Sequence, residues 1–188
     1  MNDVLRIINS RRSVRKYKTA PIEAVITEKI LDAGRMAPSA VNKQPWKFYF
    51  LTKAELIRAI DNQIAEVAAQ HLHLAHGKNI LDSPQPIFHG APLVVFITAP
   101  LDNEWAQLDI GMCVQNMMLA AKSLGLDSCP VGLGKFIEKT KFYSKLHIPA
   151  TEHVVLAVIF GFGDEKPEMK ERKKDNAFYI PPELVTDN

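Results

Sequence analysis

A cluster of cationic side chains surrounds a hydroxyl near the start of the chain. Arg11, Arg12 and Arg15 flank Ser13 directly after a short helical pattern. Three guanidinium groups and a hydroxyl suit a phosphate dianion better than a carboxylate. The same cations could instead complement the dipole at the C-terminus of a helix, and their spacing alone favours neither interpretation.

A second polar segment lies between two prolines. Ser39, Asn42 and Gln44 offer hydrogen-bond donors and acceptors on a loop that Pro38 and Pro45 stiffen. A plain surface turn would not need the tryptophan that follows it, so we interpret this loop as a candidate ligand contact.

Two glycines in the second half of the chain form a third candidate. Gly132 and Gly134 follow a Cys-Pro-Val run, and glycine permits both positive φ and a close approach of backbone N–H groups to a ligand. A simple connection between a strand and a helix is the alternative. Near the C-terminus, Lys170 and Arg172 add two further possible phosphate ligands.

Composition excludes several classes of protein. The 23 basic and 21 acidic residues leave a formal charge of +2, which is far from the excess typical of a nucleic-acid-binding domain. The apolar runs are too short for a membrane-spanning helix. Since the N-terminus lacks the pattern of a secretory signal, we expect a cytoplasmic protein in which Cys113 and Cys129 are free thiols.

Other familiar sites have weak signals. No Gly-x-Ser-x-Gly turn is present, and the lysine after Gly134 lacks the upstream glycine and following hydroxyl of a phosphate-binding P-loop. His71, His73 and His76 have no acidic or sulfur ligand at suitable spacing, so a solvated helix face is favoured over a metal site.

Periodicity predicts the elements that must position these residues. Asn2 or Asp3 can cap a first helix, and further helices are expected over residues 21–34, 53–69, 104–124 and 136–146, with strands over residues 48–51, 93–97 and 153–160. Helices on both faces of a small sheet make the fold α/β or α+β. We expect one domain over residues 1–188, of which about 164–188 form an extended C-terminal arm.

The helix predicted over residues 104–124 carries apolar side chains around most of its circumference. One small sheet cannot cover all of that surface, so the pattern predicts a homodimer.

In their order and spacing, these segments resemble the FMN-dependent nitroreductase family. The specific parts are the Arg-Arg-Ser-Val-Arg run and the Pro-Ser-x-x-Asn-x-Gln-Pro-Trp loop. The resemblance implies an α+β three-layer sandwich with a central, mostly antiparallel sheet. It also implies an intertwined homodimer with FMN at the interface.

The resemblance also implies roles for individual residues. Contacts to the FMN phosphate, ribityl chain and pyrimidine edge would come from Arg11, Arg12, Ser13 and Arg15, joined at the phosphate by Lys170 and Arg172. Contacts to the flavin of the partner subunit would come from Pro38, Ser39, Ala40, Asn42 and Gln44. The isoalloxazine would be lined by Pro130, Val131, Gly132, Leu133 and Gly134, with a backbone N–H near N5.

The activity implied is ping-pong hydride transfer, with NADH or NADPH as co-substrate and nitroaromatics, quinones or similar conjugated compounds as acceptors. Because the flavin carries the chemistry, no catalytic side chain is required. Residues 71–89 would shape the acceptor pocket. A reductive dehalogenase, a flavin-fragmenting enzyme and a non-catalytic flavin sensor are alternatives on the same scaffold, and without the resemblance a helical adaptor would be a further one.

Overall fold

The computed structural model describes residues 2–71 and 80–180. Its centre is a four-stranded antiparallel sheet in the order β1-β2-β4-β3. The strands are β1 (Lys47–Leu51), β2 (Leu93–Pro100), β3 (Asp127–Val131) and β4 (Glu152–Gly161). The α-helices are α1 (Asp3–Ser10), α2 (Ala24–Arg35), α3 (Ala54–His71) and α4 (Ala106–Ser123).

The sheet separates two hydrophobic cores. Along β2, Val94 and Phe96 pack with α3 on one face, whereas Val95 and Ile97 pack with α2 and α4 on the other. This period of two, with both faces covered, explains why β2 reads as a continuous apolar run. The predicted α+β three-layer arrangement is confirmed.

The starts of α1 and α2 show one case in which the sequence signal was sufficient and one in which it was not. Asn2 caps α1, since its Oδ1 accepts hydrogen bonds from the N–H groups of Val4 at 2.8 Å and Leu5 at 3.2 Å. The predicted start of the second helix at Pro21 is wrong, because the backbone is still extended at Glu23, the N-cap residue of α2.

The prediction of one helix over residues 136–146 is also wrong. Two 3-10 helices, Gly132–Lys139 and Tyr143–Leu146, stand there instead. Extended backbone at Thr140 separates them. Residues 127–131 form strand β3 and not the predicted loop. This strand contains Pro130 and lies at the edge of the sheet, where a missing N–H is tolerated.

The C-terminal arm starts against the N-terminal segment. The N–H of Asp164 donates to the Lys16 carbonyl at 2.8 Å, and the N–H of Lys18 donates to the Phe162 carbonyl at 2.9 Å. Beyond this anchor, residues 164–180 form neither helix nor strand and end in an exposed apolar run. Within the described ranges, no helix has the length and hydropathy needed to cross a membrane.

Candidate cofactor-binding site

The N-terminal cationic segment lies between an edge strand and the C-terminal arm. Ser13 pairs in parallel with Ser128 of β3, and the Val14 N–H donates to the Ser128 carbonyl at 3.2 Å. On its other side, Tyr17 pairs with Gly163 at the start of the arm. Because backbone hydrogen bonds hold the segment on both sides, the cations are fixed alongside β3.

One cavity of about 240 Å³ collects most of the cations singled out in the sequence. Its lining residues are Arg11, Arg12, Ser13, Arg15, Pro167, Glu168, Lys170 and Arg172. Residues more than 150 positions apart are brought together here because the arm doubles back along the N-terminal segment. With five cations and one carboxylate in its lining, the cavity favours an anion.

The three arginines of the N-terminal segment differ in their hydrogen-bond partners. Arg12 donates from Nη1 to the carbonyls of Asn9 at 2.8 Å and Arg11 at 2.7 Å, so it caps the C-terminus of α1, as the dipole interpretation predicts. Arg11 and Arg15 form no ion pair with any described carboxylate. Their guanidinium groups retain donors for a ligand.

No signal in the sequence indicated that Glu165, Cys129 and His89 lie near Arg15. The backbone N–H of Arg15 donates to Glu165 Oε1 at 2.5 Å. Burial raises the pKa of Cys129, while the nearby Arg15 and Ser13 lower it in part. Burial, and then Arg15, lower the pKa of His89. No local motif marks these residues, because only the meeting of β3, the 84–91 turn and the arm places them beside Arg15.

The glycine loop, residues 130–134, joins the end of β3 directly to the 3-10 helix Gly132–Lys139. A Cβ on Gly134 would lie 2.5 Å from the Cβ and 2.9 Å from the N of Ala157, so this glycine is required for packing on β4. A Cβ on Gly132 would meet no protein atom within 4 Å. Neither glycine has positive φ, so the loop does not use that freedom of glycine.

The other three residues of this loop differ in exposure. Pro130 is exposed, Val131 is buried and Leu133 is half-buried against the α3 core. Together with the open space at Gly132, this leaves backbone accessible at the end of β3.

The 38–44 loop has an unusual backbone. Val41, Asn42 and Gln44 all have left-handed conformations, with φ of 44°, 56° and 44°. Ser39 Oγ accepts a hydrogen bond from the Gln44 N–H at 2.9 Å, which closes the turn. A β-branched residue such as Val41 rarely adopts this conformation, so the surrounding structure must hold the loop in place.

A buried aspartate on α4 provides part of that support. Asp109 Oδ1 accepts a hydrogen bond from the Ala40 N–H at 3.2 Å, while Oδ2 is buried with no partner among the described residues. Next to this contact, a groove of about 490 Å³ is lined by Pro38, Gln107, Leu108, Gly111, Met112, Gln115 and Asn116.

Among the described residues, the two predicted sets of contacts line different cavities. The lining of the cationic cavity contains no residue of the 38–44 loop, and the groove along α4 contains none of the cationic cluster.

The region predicted to shape the acceptor pocket is only partly described. Asp61, buried on α3, accepts hydrogen bonds from the N–H groups of Ile87 at 3.4 Å and Phe88 at 2.6 Å, which fixes the turn before β2. His71 ends α3, with its ring centroid 5.8 Å from that of Phe136. His73 and His76 lie outside the described residues.

Comparisons with known proteins identify the family. A family model described as Nitroreductase family matches residues 8–162. A protein of Methanothermobacter thermautotrophicus, named provisionally as an NADH dehydrogenase/NAD(P)H nitroreductase, is 32% identical over 90% of this chain and 82% of its own. A 4-nitrobenzoate reductase of Pseudomonas putida is 27% identical, covering 87% of each chain.

Solved structures show the same fold. A nitroreductase with bound FMN from Bacteroides fragilis superposes with a TM-score of 0.81 at 26% identity, covering 96% of this chain and all of its own. One from Desulfitobacterium hafniense, also with bound FMN, has a TM-score of 0.85 at 22% identity over the same shares.

Proposed function

The chain belongs to the nitroreductase family, and we propose that it is an FMN-dependent oxidoreductase that uses NADH or NADPH to reduce nitroaromatics, quinones or similar conjugated acceptors by ping-pong hydride transfer. The observation that carries the proposal is the cationic cavity, where Arg11, Ser13, Arg15, Lys170 and Arg172 meet. The names of the relatives support the acceptor class.

The residues present fit FMN. Its phosphate dianion matches the guanidinium groups of Arg11 and Arg15, which no described carboxylate neutralises by an ion pair. Its ring system would lie along the glycine loop, where the position of a Cβ on Gly132 faces open space. Lys170 and Arg172 would close the phosphate end from the arm.

The role of the protein in the reaction is to bind and orient. Bound FMN would supply hydride acceptance and donation at N5, so the chain needs no acid, base or nucleophile of its own. The cations fix the phosphate, and backbone N–H groups from Gly132 to Gly134 would stabilise negative charge at the ring edge. Because Gly134 is pressed against Ala157, that backbone is held rigidly.

We further propose that the working form is a homodimer of single domains, with each active site completed by Pro38, Ser39, Ala40, Asn42 and Gln44 of the second copy. This arrangement is supported by the described linings, since the cationic cavity and the groove along α4 share no residue. The arm, about residues 164–188, would then extend from its anchor at Lys16 towards the other copy.

Titration with FMN and with riboflavin tests the phosphate assignment. Each charge-assisted hydrogen bond contributes about 1.5–3 kcal/mol, so Arg11→Ala and Arg15→Ala should weaken FMN binding roughly tenfold to a hundredfold. Riboflavin lacks the phosphate and should lose much less. Arg58→Ala, an exposed change on α3, is the matched control. Equal losses for both flavins would contradict the assignment.

Bleaching of the visible flavin band tests turnover. Reduced nicotinamide nucleotide should bleach the protein-bound flavin, and a nitroaromatic or quinone should restore the band. A flavin that neither nucleotide bleaches would indicate a sensor rather than a reductase.

A further inference from the structure

Two lysines flank one aromatic ring just after the glycine loop. The Nζ atoms of Lys135 and Lys139 lie 5.9 Å and 5.6 Å from the ring centroid of Phe136. The ring is half-buried and packs against the α3 core, so its position is fixed. Ammonium groups at these distances are attracted by the ring, and the ring therefore holds two exposed cations close together. We call them the Phe136 lysine pair.

The ammonium groups of this pair have no ion-pair partner among the described residues. Neither lysine forms an ion pair with a described carboxylate. The one acidic residue of segment 132–146 is Glu138, whose Oε1 accepts a hydrogen bond from the Val154 N–H at 2.5 Å. The carboxylate nearest in sequence is therefore engaged with the backbone of β4, and the ammonium groups remain available to an external anion.

The pair is fixed relative to the glycine loop. Both lysines belong to the 3-10 helix that starts at Gly132. At roughly 2 Å per residue, Lys135 lies about 6 Å and Lys139 about 14 Å along the helix axis from Gly132. Because Gly134 is packed tightly on Ala157, the first turn of this helix cannot shift freely against the sheet. An anionic group bound by the pair would thus stand at a set distance from a ring lying on the loop.

We propose that Lys135 and Lys139 bind phosphate groups of the reduced nicotinamide dinucleotide and favour its 2′-phosphorylated form. The inference rests on the proposed function, because it takes the nicotinamide to lie over a flavin at Gly132. A site selective for the form without the 2′-phosphate usually presents a carboxylate to the ribose hydroxyls. Here Oε1 of the local carboxylate, Glu138, is hydrogen-bonded to the Val154 N–H, and two cations are presented beside it, which suits a phosphate dianion.

The test compares two double variants that remove the same charge. Lys135→Gln/Lys139→Gln removes the Phe136 lysine pair. Lys29→Gln/Lys53→Gln changes two exposed lysines, one on α2 across the sheet and one just before α3. Helix α3 has 18 residues and is about 27 Å long. Its far end, His71, contacts Phe136, so Lys53 is remote from the pair.

Calorimetric titration of the FMN-loaded protein with 2′,5′-ADP and with 5′-ADP gives a readout that does not depend on turnover. The wild type and the control variant should bind 2′,5′-ADP alike, while the Lys135→Gln/Lys139→Gln variant should bind it about tenfold more weakly. Binding of 5′-ADP should change less. In the reductive half-reaction, the Kd for NADPH should rise similarly while the limiting rate of flavin reduction stays unchanged.

Three results would overturn the inference. Binding of 2′,5′-ADP that is equal in all three proteins, or absent from the wild type, would show that the pair holds no nucleotide phosphate. Equal losses for the two ADP isomers would remove the preference for the 2′-phosphate. If the Lys135→Gln/Lys139→Gln variant binds 2′,5′-ADP like the wild type but no longer binds heparin, the pair serves a polyanionic partner instead. A protein whose flavin no nucleotide reduces would refute the proposed function, while the 2′,5′-ADP titration would still report on the lysines.

Discussion

The two faces of the sheet differ in how fully their buried carboxylates are hydrogen-bonded and their apolar side chains are covered. On the α3 face, Asp61 uses both carboxylate oxygens to hold the turn before β2, and the core around it is closed by the 3-10 helices. On the α4 face, Asp109 uses one oxygen for the 38–44 loop, and the other has no described partner. Trp105 and Leu108 there are 52% and 59% exposed. Among the described residues, the buried carboxylate of the α3 face is fully partnered, whereas the α4 face keeps an unpartnered oxygen and exposed apolar side chains, as the proposed homodimer predicts.

The largest expected effect is on assembly. Leu108→Lys or Met112→Lys places a charge on the exposed groove of α4 and should yield a monomer without FMN, because burying an unpaired ammonium group at an interface is strongly unfavourable. Light scattering with absorbance detection measures mass and flavin together. Met117 is fully buried, and a charge there would test only folding.

Leu56→Lys is the control for this pair of variants, since Leu56 is a partly exposed apolar residue on the opposite face. It should leave both mass and flavin unchanged. A monomer of either groove variant that keeps a full complement of FMN would refute the shared site.

The next effect concerns pH and the α3 face. Burial raises the pKa of Asp61 from its usual 3.8 to about 6, against the lowering effect of the Phe88 and Ile87 N–H groups. Between these values the folded chain holds more protons than the unfolded chain, so the free energy of unfolding falls as pH rises. Asp61→Asn removes this fall and should gain up to about 3 kcal/mol relative to wild type between about pH 4 and about pH 7.

Urea unfolding at both pH values measures this difference, and any penalty for the new amide group is the same at each pH. Asp82→Asn, an exposed change, controls for the loss of one negative charge. A difference between Asp61→Asn and wild type that does not vary with pH would show that Asp61 keeps an ordinary pKa.

A smaller effect should separate the two glycines of the loop. Gly134→Ala forces a Cβ against the backbone N of Ala157 and should lower the free energy of unfolding by about 1–3 kcal/mol. Gly132→Ala meets no protein atom and should change it by less than about 0.5 kcal/mol, yet weaken FMN binding. Unfolding and flavin titration of the two variants measure both quantities. Unchanged FMN affinity in Gly132→Ala would leave the loop as a connector only.

The smallest effect is expected on the α4 face, at Asp109. Asp109→Asn keeps the acceptor for the Ala40 N–H and replaces only the unpartnered oxygen, so the free energy of unfolding should fall by about 1 kcal/mol or less. Asp109→Ala also removes the acceptor and should cost more. Unfolding of both variants as apoproteins gives the comparison. If the two substitutions cost the same, the Ala40 hydrogen bond does not hold the loop.

Local signals were reliable where a short pattern fixes the outcome. The side chain of Asn2 determines the start of α1, and the apolar run at residues 93–97 determines a buried central strand, because each depends on neighbours in sequence. The prediction for the segment around Pro130 was wrong for the opposite reason, since its structure depends on residues far away in the sequence. Its proline argues against a strand, and only the edge position of β3 removes the need for that N–H.

The sequence by itself determined which chemical groups are available: three arginines around a hydroxyl, a polar loop between prolines and a glycine loop. The tertiary structure decided which of them meet. It brought Lys170 and Arg172 to the N-terminal cluster, assigned Arg12 to the end of α1 and placed the 38–44 loop on Asp109. These outcomes depend on backbone pairing and burial between segments far apart in the chain, and no local pattern of residue types contains that information.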